Sequence, residues 1–227
     1  PAASGAGKAE QQLGLQQVGG EARREDHGGD LFGGGLPGTG KSTLARALAQ
    51  HAGFRVIRSD VVRKELAGVD AEECRSEFGQ GIYTAEWTKR TYADCLRQAE
   101  GLLFQGERVL VDANFREEIQ RRMFLDAALR WGVPIVFLLC QAEPEVVRAR
   151  LAKRSGDASD ADWTVYETAA ETWDDLGPEM AVRRHTINTG EAWELAVCNA
   201  RSVLRKQGLS DCAETLFLPH SLKEYKT

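Results

Sequence analysis

The chain has no apolar run near the roughly 18 residues of a membrane span, and no charged-then-apolar leader opens it. Those two absences predict a soluble, cytoplasmic protein. No C-x-x-C pair or Cys/His ligand spacing is present, and the five cysteines (Cys74, Cys95, Cys140, Cys198 and Cys212) are odd in number and far apart. That pattern predicts reduced thiols, mostly small core residues, and argues against a metal site or a disulfide framework. Excess positive charge is also missing. The net charge of -5 and pI of about 5.5 speak against non-specific nucleic-acid binding, which draws on clustered Lys and Arg. Internal repeats are absent, and so is an initiator Met, which suggests processing or a fragment of a longer multidomain protein.

What is there organises around one stretch. Gly35, Leu36, Pro37, Gly38, Thr39, Gly40, Lys41, Ser42 and Thr43 read G-x-x-x-x-G-K-[ST] and open a helical pattern that Gly53 closes. Glycines there let successive backbone N–H groups turn toward one point, where the positive end of the following helix also lies. A polyphosphate can be cradled at such a point. Lys41 is placed to reach the outer phosphates and the Ser42 hydroxyl to ligate Mg²⁺, which makes ATP and Mg²⁺ the expected cofactors.

With 42% hydrophobic and 28% charged residues in 227, one domain with appendages is expected. Residues 1–29 offer too few apolar anchors and read as a disordered tail, 30–206 as the domain, and 207–227 as a C-terminal tail. The strand feeding the P-loop should be apolar, yet Asp30, Leu31, Phe32, Gly33 and Gly34 supply only two such residues. It is expected to be short or poorly made. Strands are predicted at 54–58, 108–112, 135–140 and 184–189, with helices at 61–66, 83–104, 117–131, 160–172 and 191–206 between and after them. Alternation of this kind predicts an α/β fold: a three-layer, roughly five-stranded parallel sheet with helices on both faces.

In such sheets ligands bind at the carboxyl ends of the strands. Asp60 follows the second strand and is the candidate to orient an acceptor hydroxyl, because Lys41 and Ser42 are taken up by nucleotide and metal. Arg63, one turn on, is expected to face the same crevice and hold an anionic group of the acceptor. Asp112 ends the third strand as a Walker B carboxylate, a second Mg²⁺ holder. Asn114 and Arg116 follow at the same edge, and Tyr83 near the start of the long helix is a further acceptor-side candidate. After Pro144 a basic helical run places Arg150 and Arg154 four apart on one face. Behind the fourth strand of a P-loop domain it reads as a lid, about 148–162, whose arginines neutralise the transferring phosphoryl group.

The series GLPGTGKSTLARALA (35–49), RSDVVRKELAG (58–68), GIYTAEWTKRTYADCLRQAEGLLFQGERVLVDANF (81–115), RARLAKR (148–154) and SDAD (159–162) resembles P-loop kinase-like proteins of the zeta-toxin and polynucleotide-kinase type over 34–188. The resemblance implies that Asp60 activates the acceptor hydroxyl, that Asp60 and Arg63 form a D-x-x-R pair, and that Arg150 and Arg154 are the lid arginines. The leading expectation is therefore an ATP- and Mg²⁺-dependent kinase acting on a small-molecule hydroxyl. A P-loop ATPase or switch module without a small-molecule acceptor, a polynucleotide 5'-hydroxyl kinase, and a binding remnant with a damaged first strand are the alternatives.

Overall fold

β1 (Asp30–Gly34) runs up the middle of a five-stranded sheet, hydrogen-bonded on both sides. The computed structural model describes residues 30–69, 81–153 and 161–209, with side chains from residue 33 onward. The tails expected at 1–29 and beyond 209 lie outside them, as do Cys74, Arg154 and Cys212. The other strands are β2 (Phe54–Arg58), β3 (Arg108–Asp112), β4 (Ile135–Gln141) and β5 (Arg184–Asn188), in the order β2-β3-β1-β4-β5 and all parallel. β4 is apolar for six residues and those six are buried, as a strand covered on both faces must be.

The helices are α1 (Lys41–Ala52), α2 (Ser59–Ala67), α3 (Ala85–Phe104), α4 (Glu118–Trp131), α5 (Pro144–Ala152), α6 (Trp163–Glu171), α7 (Pro178–Ala181) and α8 (Trp193–Lys206). Alternation along the strands divides the core in two. Val109 and Val111 of β3 with Phe137 and Leu139 of β4 pack against Tyr92, Cys95 and Ala99 of α3 and Phe124 and Leu125 of α4. Leu110, Val136, Leu138 and Cys140 face the other way, onto Leu44 and Leu48 of α1 and Ala196, Ala200 and Leu204 of α8. The core extends just past α8, where buried Leu209 donates its N–H to the Leu204 carbonyl.

The first strand is five residues long and fully paired, from Asp30 opposite Val109 and Ile135 to Gly34 opposite Leu139. The expectation of a poorly made strand is corrected here. Gly34 has a packing cause, since a Cβ there would clash with Cε2 of the Phe137 ring. Two further differences are small. α2 begins at Ser59, so Asp60 sits within its first turn, and α7 is a four-residue helix that the periodicity did not mark.

Candidate active site

The parallel register brings the P-loop and the ends of β2 and β3 to one edge, with Gly33 opposite Asp112 and Arg58 opposite Asp112. A crevice of about 370 Å³ opens there. It is lined by Pro37, Gly38, Gly40, Lys41, Ser42 and Thr43 of the P-loop, by Ser59, Asp60, Asp112, Ala113 and Asn114, and by Arg150, Leu151 and Trp193. Lys41, Ser42, Asp60, Asp112, Asn114 and Arg150, all singled out from sequence, are thus gathered in one place.

The loop is tied from both sides. Gly35 donates its N–H to the Asn114 carbonyl at 3.2 Å, and the Thr189 hydroxyl lies 2.6 Å from the Thr39 carbonyl and 2.9 Å from that of Gln141. Lys41 donates from Nζ to the Leu36 carbonyl at 2.8 Å, which lays its stem over the loop. α5 packs directly on the loop tip, and a Cβ on Gly38 would meet Val147 at 2.8 Å and Leu151 at 2.9 Å. That packing delivers Arg150. Its Nη2 donates to the Thr189 carbonyl at 2.6 Å, while Nη1 is buried with no hydrogen-bond partner. A Cβ on Gly40 would lie 3.6 Å from that Nη1. An orphaned guanidinium donor beside the P-loop fits an anionic phosphate, which would supply the missing acceptor.

The carboxylates carry the electrostatics. Burial raises the Asp60 carboxyl above the ordinary range, and repulsion from Asp112 adds to it, while Lys41, Arg63 and Arg58 pull the other way. Arg58 Nε lies 3.5 Å from Asp112 Oδ2. Among the described residues no group of three or more His, Cys, Asp and Glu side chains forms a metal cluster. Asp112 and the Ser42 hydroxyl line the crevice and are the groups there that could hold a divalent ion beside a bound phosphate.

Three predicted acceptor-side residues point elsewhere. Arg63 is buried, donating from Nη1 to the Ile82 carbonyl at 2.8 Å and to Thr88 Oγ1 at 3.3 Å, with its guanidinium 5.2 Å from the centre of the Tyr83 ring. Tyr83 lies on a single 3₁₀ turn, Gly81–Tyr83, and neither residue is among those lining the crevice. Arg116 donates to Thr172 Oγ1 at 2.8 Å and Glu117 Oε1 at 2.6 Å, toward the end of α6. Arg154 lies outside the described residues.

Other residues at the site escaped the sequence. Arg58, Thr189 and Trp193 come together only through strand register and the β5 exit. Phe115 has φ 52, the one positive φ among described non-glycine residues, and its N–H donates to the Tyr92 hydroxyl at 2.9 Å. Its ring is buried against Tyr92, Phe124 and Phe137, which holds the strained turn that presents Asn114. Arg121 braces the same turn with all five N–H groups, to the carbonyls of Phe115, Arg116, Asp174 and Asp175 and to Glu118.

The AAA domain family matches residues 31–175, from β1 through the segment after α6. The chain belongs to that family. This AAA domain is also 33% identical over 172 residues to the uncharacterized protein Rv2004c of Mycobacterium tuberculosis (strain ATCC 25618 / H37Rv) and, equally, to the uncharacterized protein Mb2027c of Mycobacterium bovis. Those alignments cover 75% of this chain and 32% of each relative, so the chain spans about a third of their length. Among solved structures it is similar to a sugar kinase from Janibacter sp. HTCC2649, with TM-score 0.59 and 16% identity over 82% of this chain and 99% of that one. A gluconokinase from Sinorhizobium meliloti 1021 superposes with TM-score 0.55 and 20% identity over 79% and 93%. The fold is that of a P-loop kinase-like protein. No helix among the described residues is long and apolar enough to cross a membrane.

Proposed function

We propose that this AAA domain is an ATP- and Mg²⁺-dependent kinase that transfers the γ-phosphate to a hydroxyl of a small molecule. One observation carries the reading: a single crevice holds the P-loop, a carboxylate at the end of β3 and another in the first turn of α2, and a buried guanidinium donor with no partner. Bound ATP and Mg²⁺ supply the activated phosphoryl group. The P-loop amides and Lys41 hold the phosphates, and Asp112 with Ser42 positions the ion. Asp60 accepts the hydrogen bond of the incoming hydroxyl and would take its proton as the hydroxyl oxygen bonds to the γ-phosphorus and the bond from that phosphorus to the bridging oxygen breaks, with ADP as the leaving group. Its raised pKa suits that task, since a more basic carboxylate accepts the proton more readily. Arg150 closes the phosphoryl end by adding Nη1 to the charge that spreads over the phosphate oxygens. Trp193 gives the nucleotide base a ring to lie against.

The small-molecule acceptor is supported by the similarity to a sugar kinase and a gluconokinase, and by the net charge of -5, which disfavours a polynucleotide. Within that reading, kinship to the zeta-toxin and polynucleotide-kinase type is supported by the motif series from the P-loop to SDAD, onto which the Asp60 and Arg63 pair is carried over. Arg63 contributes by pinning the turn at Ile82 that opens α3. The test is transfer of label from γ-labelled ATP with Mg²⁺ into a fractionated metabolite extract, with wild type beside Asp60→Asn. A labelled compound absent with the variant supports the kinase. Label found only as free phosphate with both proteins rejects it.

A further inference from the structure

The P-loop is a wall with two sides. Pro37, Gly38, Gly40 and Lys41 line the transfer crevice, whereas Leu36 and Thr39 face away from it into a second cavity of about 420 Å³. The two cavities share no lining residue. The second is enclosed by the end of β4, the start of α5 and the inner side of α6, which contributes Tyr166 with Trp173 just beyond the helix end. Gln141, Glu143, Thr39 and Asn188 provide its polar groups. The Thr39 hydroxyl donates to the Leu36 carbonyl, the Asn188 carboxamide donates to Glu191 and accepts from the Gly190 N–H, and Glu143 is the one charged side chain among the described lining residues.

These groups have a definite chemistry. Arg121 stands over the Trp173 ring, 5.7 Å from its centre, and Trp163 stacks on Tyr166 at 4.8 Å, so both aromatic side chains have their positions set by neighbours. A carboxylate, two carboxamides and two aromatic rings around one space favour a ligand with N–H donors, a positive charge and a ring or CH-rich face. An anion would meet Glu143 with no described cation in the lining to offset it.

We propose that this cavity is a second ligand site, distinct from the transfer crevice, that takes a small ring-bearing organic amine. The ammonium group pairs with Glu143, Gln141 hydrogen-bonds its neighbouring polar groups, and the ring lies between Tyr166 and Trp173. Occupancy does not require nucleotide, so the site stands apart from the kinase reading and is tested without turnover.

Isothermal titration calorimetry on the full chain uses glucosamine and tyramine as probes, with gluconate and phenyl phosphate as anionic controls. At least one amine should bind saturably in the millimolar range or tighter, and neither anion should. Tyr166→Ala and Glu143→Gln should each weaken that binding about tenfold or more. Glu143 is exposed and caps α5 without a side-chain hydrogen bond, so the Gln variant keeps the fold, which circular dichroism verifies. Lys41→Ala should leave amine binding intact. Failure of both amines to bind, equal binding by the anions, binding that survives both variants, or competition between amine and ADP each overturns the proposal.

Discussion

Arg150 donates from Nη2 to the Thr189 carbonyl at 2.6 Å and, held there, keeps Nη1 buried and unpartnered beside Gly40. The guanidinium is pre-aimed by the fold, so phosphate can be met without first ordering a flexible side chain.

Arg150→Ala is expected to lower kcat/KM for transfer about thirtyfold, the equivalent of about 2 kcal/mol for a charge-assisted hydrogen bond. Arg150→Lys recovers little, because an ammonium cannot serve the Thr189 carbonyl and the phosphate through a planar fork. Steady-state kinetics with ADP calorimetry checks both, and transfer unaffected by Arg150→Ala removes the arginine from the mechanism.

Asp60 makes a prediction that needs no substrate. Its folded pKa is raised, so the fold favours the protonated form. The stability it lends is present in full below the unfolded value of 3.8 and is lost as pH rises through the folded pKa. Toward neutral pH the buried carboxyl is therefore a liability that Asn lacks, because ionisation favours the unfolded chain. Asp60→Asn should melt at a higher temperature than wild type at neutral pH, with the gap closing as the solution is acidified. Thermal denaturation across pH reads this directly, and a less stable variant at neutral pH would show that Lys41, Arg63 and Arg58 outweigh the burial.

Arg121 spends five donors on four carbonyls and a carboxylate with its side chain fully buried. Arg121→Met should destabilise the domain by about 3–5 kcal/mol in urea unfolding, because the carbonyls of Phe115, Arg116, Asp174 and Asp175 lose a buried donor together. A loss under about 1 kcal/mol would mean that water replaces the guanidinium.

Gly34→Ala should destabilise by about 1–3 kcal/mol through overpacking against Phe137. Phe137→Leu added to it should restore part of the loss, so the double variant is more stable than the two single effects summed. Strict additivity in chemical denaturation would contradict the packing account.

β3 was legible residue for residue, because Val109, Leu110 and Val111 stand between a polar turn and Asp112 and nothing in the tertiary structure competes with that pattern. β1 was not, because counting apolar residues treats a strand glycine as a weakness. Here Gly34 makes room for a ring on the neighbouring strand. Arg63 shows the same limit on the site side. Its spacing from Asp60 puts the two on one helical face, but a buried carbonyl at Ile82 claims the guanidinium. The pairing of Arg58 with Asp112 depends on register between strands some fifty residues apart, which local periodicity does not encode.

By itself the sequence determined the phosphate loop, the alternation that makes a parallel sheet, and the carboxylates that follow β2 and end β3, since each follows from local chemistry and spacing. The tertiary structure decided which basic side chains are left to act. Packing commits every donor of Arg121 to the scaffold and gives Arg63 Nη1 to the Ile82 carbonyl. Buried donors without partners remain at Arg63 Nε and Arg150 Nη1, and of these two arginines Arg150 is the one that lines the crevice, a placement that only packing settles.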